Sequence, residues 1–449
     1  MMDIDLSPYG QASTRPSPVN RMMSAFAGDF REGHDVNLGV GYVNERTIPR
    51  GLIRAALDEV LDRPEDYRAP FNYGGPAGAP YLVSALRDMI TGRRVGGLTA
   101  ADLERRTLVV GASGATSLLD GLGQVLTPGI VLTSDPNYYI YGDVLQRRGF
   151  QVRAVPEDAD GIEPQRLADA IDKLGAEREA VRFVYVVTVN NPTCTILGNE
   201  RRRDLVEVVT DLGRRIGRKV PLVCDTAYEW LIHDPQVEAP RSMLLDDPEG
   251  IVHELGTLSK VLAPALRIGF MIASPSPLTE AMVQNVSDVG FSAPLANQAI
   301  ASRLLETHLD EQLASVNAGY RHKAAMMRQW IDEHLGAHLE SCRGGRAGFY
   351  YYLTFRRLET TESSAFFRFL ARTTGRAEID GTTGDRRPRV IYIPGQFCVQ
   401  PDGEMVEQSR RQLRLSYGFE QLDRIEPAIR MMGEAAAYAE AATCSAATS

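Results

Sequence analysis

Thr257-Leu258-Ser259-Lys260-Val261-Leu262-Ala263-Pro264-Ala265-Leu266-Arg267-Ile268-Gly269 joins two apolar runs, Ile251 to Leu255 and Gly269 to Ala273. A lysine follows two hydroxyl residues, a proline interrupts the chain, and an arginine stands seven positions after the lysine. Lysine is a nucleophile only when deprotonated, so its ordinary pKa of roughly 10.4 must be lowered by burial or nearby cations, or bypassed in a Schiff base. The hydroxyls of Thr257 and Ser259 and the guanidinium of Arg267 suit a dianion bound beside that amine. Taken alone, the stretch also reads as a surface Ser-Lys turn at a strand end.

Apolar runs of strand length recur upstream at Thr107 to Val110, Ile130 to Thr133, Val152 to Val155, Val181 to Val189 and Val220 to Cys224. Most lack polar alternation, as strands buried on both faces do. Helical patterns lie between them at Thr116 to Leu126, Tyr139 to Gly149, Pro164 to Leu174 and Arg201 to Ile216. Alternation of this kind predicts a mostly parallel sheet covered on both sides, with ligands outside the carboxyl ends of its strands. Polar residues follow those ends. Gly111-Ala112-Ser113-Gly114-Ala115-Thr116 opens a helix with small residues whose N–H groups suit an anion. Asp135-Pro136-Asn137-Tyr138-Tyr139, Asn190-Asn191-Pro192-Thr193 and Asp225-Thr226-Ala227-Tyr228 close three further runs. A carboxylate at the end of a buried strand costs several kcal/mol unless it is paired. Read singly, these are a helix start, a half-buried loop tyrosine, a turn and a helix cap.

In this order the motifs resemble those of the class I/II aminotransferases, pyridoxal-phosphate enzymes of fold type I. The Lys-to-Arg spacing is similar to the aminoadipate aminotransferase-like branch. The resemblance covers roughly residues 37 to 430 and implies an α/β fold: a large domain with a mostly parallel seven-stranded sheet, plus a smaller α+β domain. It implies pyridoxal 5'-phosphate held by Lys260 as a Schiff base, with Asp225 on the ring nitrogen and Asn191 and Tyr228 on the phenolic oxygen. Tyr138 would stack on the ring. Ser113, Gly114, Ala115, Thr257, Ser259, Arg267 and Tyr73 of a neighbouring subunit would hold the phosphate, which implies a homodimer with shared sites. Arg414, in Arg414-Leu415-Ser416-Tyr417, would clamp the substrate carboxylate, and Gly41, in Asn37-Leu38-Gly39-Val40-Gly41, would border the substrate. The implied reaction moves an amino group between an amino acid and a 2-oxo acid. A lyase or synthase using the same cofactor would share every one of these motifs. Two departures stand out. Ala115 lacks the hydroxyl that some relatives carry, with Thr116 next to it, and Cys194 replaces the usual glycine at a turn where positive φ disfavours a side chain. A changed local turn is the expectation there.

The chain of 449 residues divides by pattern into an arm and the start of a small domain (1–50), a large cofactor-binding domain (51–305) and a small C-terminal domain (306–449). One short helix is expected in the arm, near Met22 to Phe26. A continuous helical segment is expected over Asn297 to about Leu335, a surface loop over Thr373 to Arg389, and a fraying tail from about Ala435. With 44% hydrophobic and 24% charged residues, the composition is that of a globular protein. A net charge of -9 argues against a nucleic-acid partner. Five cysteines without CxxC spacing indicate neither a metal site nor a disulfide framework, which fits the cytoplasm. No apolar run approaches the roughly 20 residues of a membrane helix. The side-chain class of the substrate stays open. Arg15 or Arg21 could read a second carboxylate, and the Tyr350 to Tyr352 run could favour an apolar or aromatic group.

Overall fold

The computed structural model describes residues 4–447 apart from 69 and 383, with side chains described as far as residue 442. Its centre is one large sheet. The strands are β1 (Thr107–Val110), β2 (Ile130–Asp135), β3 (Gln151–Asp158), β4 (Gly161–Ile162), β5 (Val181–Val187), β6 (Leu222–Asp225), β7 (Val252–Thr257) and β8 (Gly269–Ala273). They lie in the order β1-β8-β7-β6-β5-β2-β3-β4. Pairings from β7 through β3 are parallel, whereas β8 runs antiparallel to both β1 and β7. Seven strands match the apolar runs. The eighth, β4, is two residues long and doubles back antiparallel on the end of β3, too short to show as a run.

The lack of polar alternation has a direct cause. Val109, Val131, Phe183, Val223, Leu255 and Met271 project into one core with Leu118, Leu122 and Met282 of the helices Gly114–Val125 and Pro277–Gly290. Their neighbours Leu108, Leu132, Val184, Cys224 and Phe270 project into a second core with Leu205 and Val209 of the helix Asn199–Ile216. Both faces are dry over these positions, so apolar residues follow one another without alternation. Burying each such side chain contributes about 1.5–3 kcal/mol.

A second, antiparallel sheet has the order β9-β10-β12-β11, formed by β9 (Leu339–Gly344), β10 (Tyr350–Phe355), β11 (Ile393–Pro394) and β12 (Gln412–Ser416). Its central pairing sets Arg414 opposite Tyr352 on one side and Ile393 on the other. Val36–Asn37, near the N-terminus, pairs parallel with Val390–Ile391. Lys323, on the helix Leu309–His334, donates to the carbonyls of Tyr417 (3.2 Å), Gly418 (3.0 Å) and Glu420 (2.5 Å), fastening that helix to the turn after β12.

Four local expectations are corrected. The arm holds two helices, Pro8–Ser13 and Pro18–Ala27, each started by a serine cap and a proline in its first turn, and the second buries Val19, Met22 and Phe26 against Ile391 and Ile393. The long helical segment is two helices, Leu295–Thr307 and Leu309–His334, broken where His308 leaves helical geometry at φ -131° and ψ 1°. Residues 373–389 include a helical turn, Ala377–Asp380, and a small hairpin pairing Gly381–Thr382 with Asp385–Arg386. The tail belongs to the helix Leu422–Ala447, which buries Ala435, Ala436 and Ala439. Small residues there allow close packing: a Cβ on Gly433 would sit 2.7 Å from the His334 carbonyl. Thr448 and Ser449 lie outside the described residues.

Candidate active site

The parallel strands end on one edge of the sheet, and the polar residues after them meet there around a cavity of about 270 Å³. Asn191 follows β5, Asp225 ends β6, and Thr257, Ser259 and Lys260 end or follow β7. Gly41, Ala115, Tyr138, Tyr228, Arg267, Tyr350 and Arg414 complete its lining, together with Thr116. Ser113 and Gly114 stand behind Arg267 rather than on the wall. Tyr73 is elsewhere: 81% exposed, its ring 5.2 Å from that of Phe291.

Asp225 is buried. One carboxylate oxygen accepts from the Tyr185 hydroxyl (2.9 Å) and the other from the Ala227 N–H (3.0 Å). Burial nonetheless raises its pKa, against those two hydrogen bonds and the attraction of Lys260. The Lys260 ammonium lies 5.2 Å from the Tyr228 ring centre and 5.6 Å from that of Phe349, and makes no hydrogen bond among the described residues. Burial lowers its pKa to about 8, opposed by Asp225 and reinforced by Arg414 and Arg267. A neutral amine is therefore accessible near neutral pH.

The anion end is built from backbone. Gly114 takes φ +67°, and a Cβ there would sit 2.8 Å from the Arg267 guanidinium. Arg267 donates to the Ser113 carbonyl (2.9 Å), the Ser113 hydroxyl (3.3 Å) and the Pro264 carbonyl (3.1 Å). A Cβ on Gly269 would fall 2.1 Å from the Ala115 nitrogen, so only glycine lets β8 lie against this helix start. Thr257 Oγ1 lies 2.9 Å from both Ser259 Oγ and the Ile268 carbonyl.

On the opposite wall Arg414 donates to Asn191 Oδ1 (2.8 Å) and the Gly39 carbonyl (2.6 Å), with its guanidinium 4.4 Å from the Tyr350 ring centre. Its Nε is buried without a hydrogen-bond partner among the described residues. Such an orphaned donor costs about 1–3 kcal/mol unless a ligand satisfies it. Tyr350 also shares a hydrogen bond with the Tyr228 hydroxyl at 2.9 Å. Its hydroxyl would lie 2.5 Å from a Cβ on Gly41, which explains the glycine there.

The expected change of turn at Cys194 does not occur. Cys194 adopts φ +51°, its N–H donates to the Asn190 carbonyl at 2.7 Å, and its thiol packs where Gly348 leaves room. Burial pushes its pKa up to about 12, and it does not line the cavity. Arg21 lies outside the cavity lining, within 3.6 Å of Glu362, and Arg15 is exposed outside it. Tyr185 and the Tyr228–Tyr350 pair had no signal in the sequence. Tyr185 sits inside a valine-rich run, and a hydroxyl pair between distant residues leaves no spacing pattern.

The sequence matches the profile "Aminotransferase class I and II" over residues 34–376. The chain belongs to the class I and II aminotransferase family. It is 26% identical to 2-aminoadipate transaminase of Thermus thermophilus, over 72% of this chain and 74% of that one. It is 25% identical to an uncharacterized HTH-type transcriptional regulator of Bacillus subtilis, over 89% of this chain and 73% of the regulator. The crystal structure of a multiple substrate aminotransferase from Thermococcus profundus superposes with a TM-score of 0.80, at 21% identity, covering 96% of this chain and 97% of that one. The family's chemistry, amino-group transfer with pyridoxal 5'-phosphate, is therefore the chemistry of this aminotransferase. The residues present fit that cofactor: a glycine-cradled anion end beside an arginine, a lysine without a hydrogen-bond partner among the described residues, and a buried carboxylate facing the same cavity. No helix among the described residues is long and apolar enough to cross a membrane.

Proposed function

We propose that this site transfers an amino group between an amino acid and a 2-oxo acid, with Lys260 as the residue that carries the cofactor and moves the substrate's α-proton. The observation behind this reading is that Lys260, Asp225 and the orphaned Nε of Arg414 belong to one cavity. When bound, pyridoxal phosphate supplies an aldehyde that condenses with amines and a ring that draws electron density from the substrate's α-carbon. Ser113, Gly114, Ala115, Thr257, Ser259 and Arg267 would bind its phosphate, and Tyr138 would stack on the ring. Asp225 would hold a proton on the ring nitrogen, for which a buried carboxylate is the natural partner. Asn191 and Tyr228 would orient the phenolic oxygen. Lys260 Nζ, neutral above about pH 8 by virtue of its burial, would accept the α-proton and return it. Arg414 would fix the carboxylate common to both substrates, with Gly41 leaving it room.

The proposal extends to a cytoplasmic homodimer in which Tyr73 reaches the partner's phosphate site. Tyr73 and Phe291 form an exposed aromatic pair, which a second copy would cover. The proposal also divides the chain into the arm and start of the small domain (1–50), the large cofactor-binding domain (51–305) and the small C-terminal domain (306–449).

The test is reconstitution. The protein mixed with pyridoxal phosphate should develop a visible band that borohydride bleaches, leaving the added mass on the peptide containing Lys260. A Lys260→Ala variant that still traps the mass at this site would refute the assignment.

A further inference from the structure

We infer that Tyr350 is a positioning residue with two tasks: its ring steadies the guanidinium of Arg414, and its hydroxyl donates to that of Tyr228, leaving the Tyr228 proton for the phenolic oxygen of the bound cofactor. The inference rests on the aminotransferase reading above, in particular on Tyr228 serving that oxygen, and adds a residue to which that reading gives no part.

The register of the second sheet sets up the first task. Tyr350 opens β10 and stands opposite Ser416 of β12, two residues along from Arg414. Residues two apart on a strand share a face, so Tyr350 and Arg414 are diagonal neighbours, within reach of long side chains. The guanidinium accordingly sits 4.4 Å from the ring centre. Both side chains are buried, and a cation over an aromatic face is held more firmly where water is excluded.

The second task crosses from one sheet to the other. Tyr228 follows the end of β6 in the large sheet, and its hydroxyl lies 2.9 Å from that of Tyr350. Each phenol has a single proton to give. Burial pushes both phenols up, Tyr350 to about 12, so both protons stay in place across the working range of pH. With the Tyr228 proton committed to the cofactor, the proton between the two hydroxyls is that of Tyr350. A hydroxyl that accepts a hydrogen bond becomes a better donor in turn. Gly41 makes the room. A Cβ there would stand 2.5 Å from the Tyr350 hydroxyl oxygen but 3.7 Å from the ring carbon that bears it. A methyl group at Gly41 therefore collides with the hydroxyl and leaves the ring in ordinary contact.

The experiment follows the visible band of the reconstituted protein as a function of pH. A weaker donor at the phenolic oxygen leaves more charge there, which holds the proton on the nitrogen joining Lys260 to the cofactor, so the midpoint moves up. Tyr228→Phe should raise it by about one pH unit or more, and Tyr350→Phe by about 0.3–0.6. Gly41→Ala should match Tyr350→Phe, and the two together should add nothing further. Michaelis constants are measured for the best converted of L-leucine, L-phenylalanine and L-glutamate. They should stay within about twofold in Tyr350→Phe, which keeps the ring, and rise about 3–30-fold in Tyr350→Leu, which loses it. A midpoint that moves in Tyr228→Phe but not in Tyr350→Phe overturns the hydroxyl's task and leaves the reading of Tyr228 intact. An unchanged Michaelis constant in Tyr350→Leu overturns the ring's. A midpoint unmoved in Tyr228→Phe refutes the assignment of Tyr228 and the inference with it, transamination standing. No band, or conversion of none of the donors, removes the transamination reading and the inference together.

Discussion

Two lysines of this chain, the buried Lys323 and the half-buried Lys260, are each lowered by loss of solvation to a pKa of about 8. Lys323 spends its ammonium on three backbone carbonyls, those of Tyr417, Gly418 and Glu420. Lys260 meets two aromatic rings and Asp225 and makes no hydrogen bond among the described residues. The same displacement of pKa therefore accompanies opposite roles. At Lys323 every proton has an acceptor and the residue is a rivet. At Lys260 the protons are unclaimed, so the amine is free to react. A shifted pKa marks burial, and the partner count says what the burial is for.

The comparison can be broken in four ways, and the largest effect comes first. Lys260→Ala should reduce transamination by about 10⁴-fold or more without lowering the melting temperature of the cofactor-free protein. A large fall in Tm would make Lys260 a rivet as well. Arg414→Ala should lower kcat/KM for amino and oxo acid alike by about 10²–10³-fold, because a buried charge-assisted pair is lost on both. An effect on only one substrate would remove the shared clamp. Lys323→Met should cost about 3 kcal/mol by leaving buried carbonyls unsatisfied, read by urea unfolding, with kcat retained in the folded protein.

The smallest effect concerns pH. A lysine whose folded pKa lies near 8 against about 10.4 unfolded binds fewer protons when folded, so its contribution to stability rises with pH between those values. The cofactor-free protein should gain on Lys260→Ala by at most about 1.4 kcal/mol per pH unit between pH 8 and 10. Parallel stability curves would show that Lys260 titrates normally.

Much of this site was legible because strand ends are legible. A run such as Leu222 to Cys224, dry on both faces, forces its first polar residue to mark the edge, and Asp225 stands there. Lys260 and Asn191 lie beyond the first polar residue of their strand ends, and it is their resemblance to the family's motifs that singles them out. Tyr185 was not found, because alternation on a doubly buried strand does not say which face a residue serves. Its hydroxyl reaches Asp225 only through the pairing of β5 with β6. The Tyr228–Tyr350 pair depends on the second sheet docking against the first, which no local pattern encodes. His308 broke an expected helix through its backbone angles, with neither glycine nor proline to announce the interruption. The tail was misjudged because alanine-rich sequence suits both a frayed end and a closely packed helix.

Gly269 carries one more implication. With its strand pressed against the nitrogen of Ala115, the lysine segment and the turn that receives an anion are welded into a single block, and neither can shift without dragging the other. Across the cleft, Arg414 and Tyr350 ride on a separate sheet, tied to the edge of the large one by the bond from Arg414 to Asn191. A missing methyl group thus keeps one wall of the cavity in register, and the opposite wall is borrowed from a different sheet.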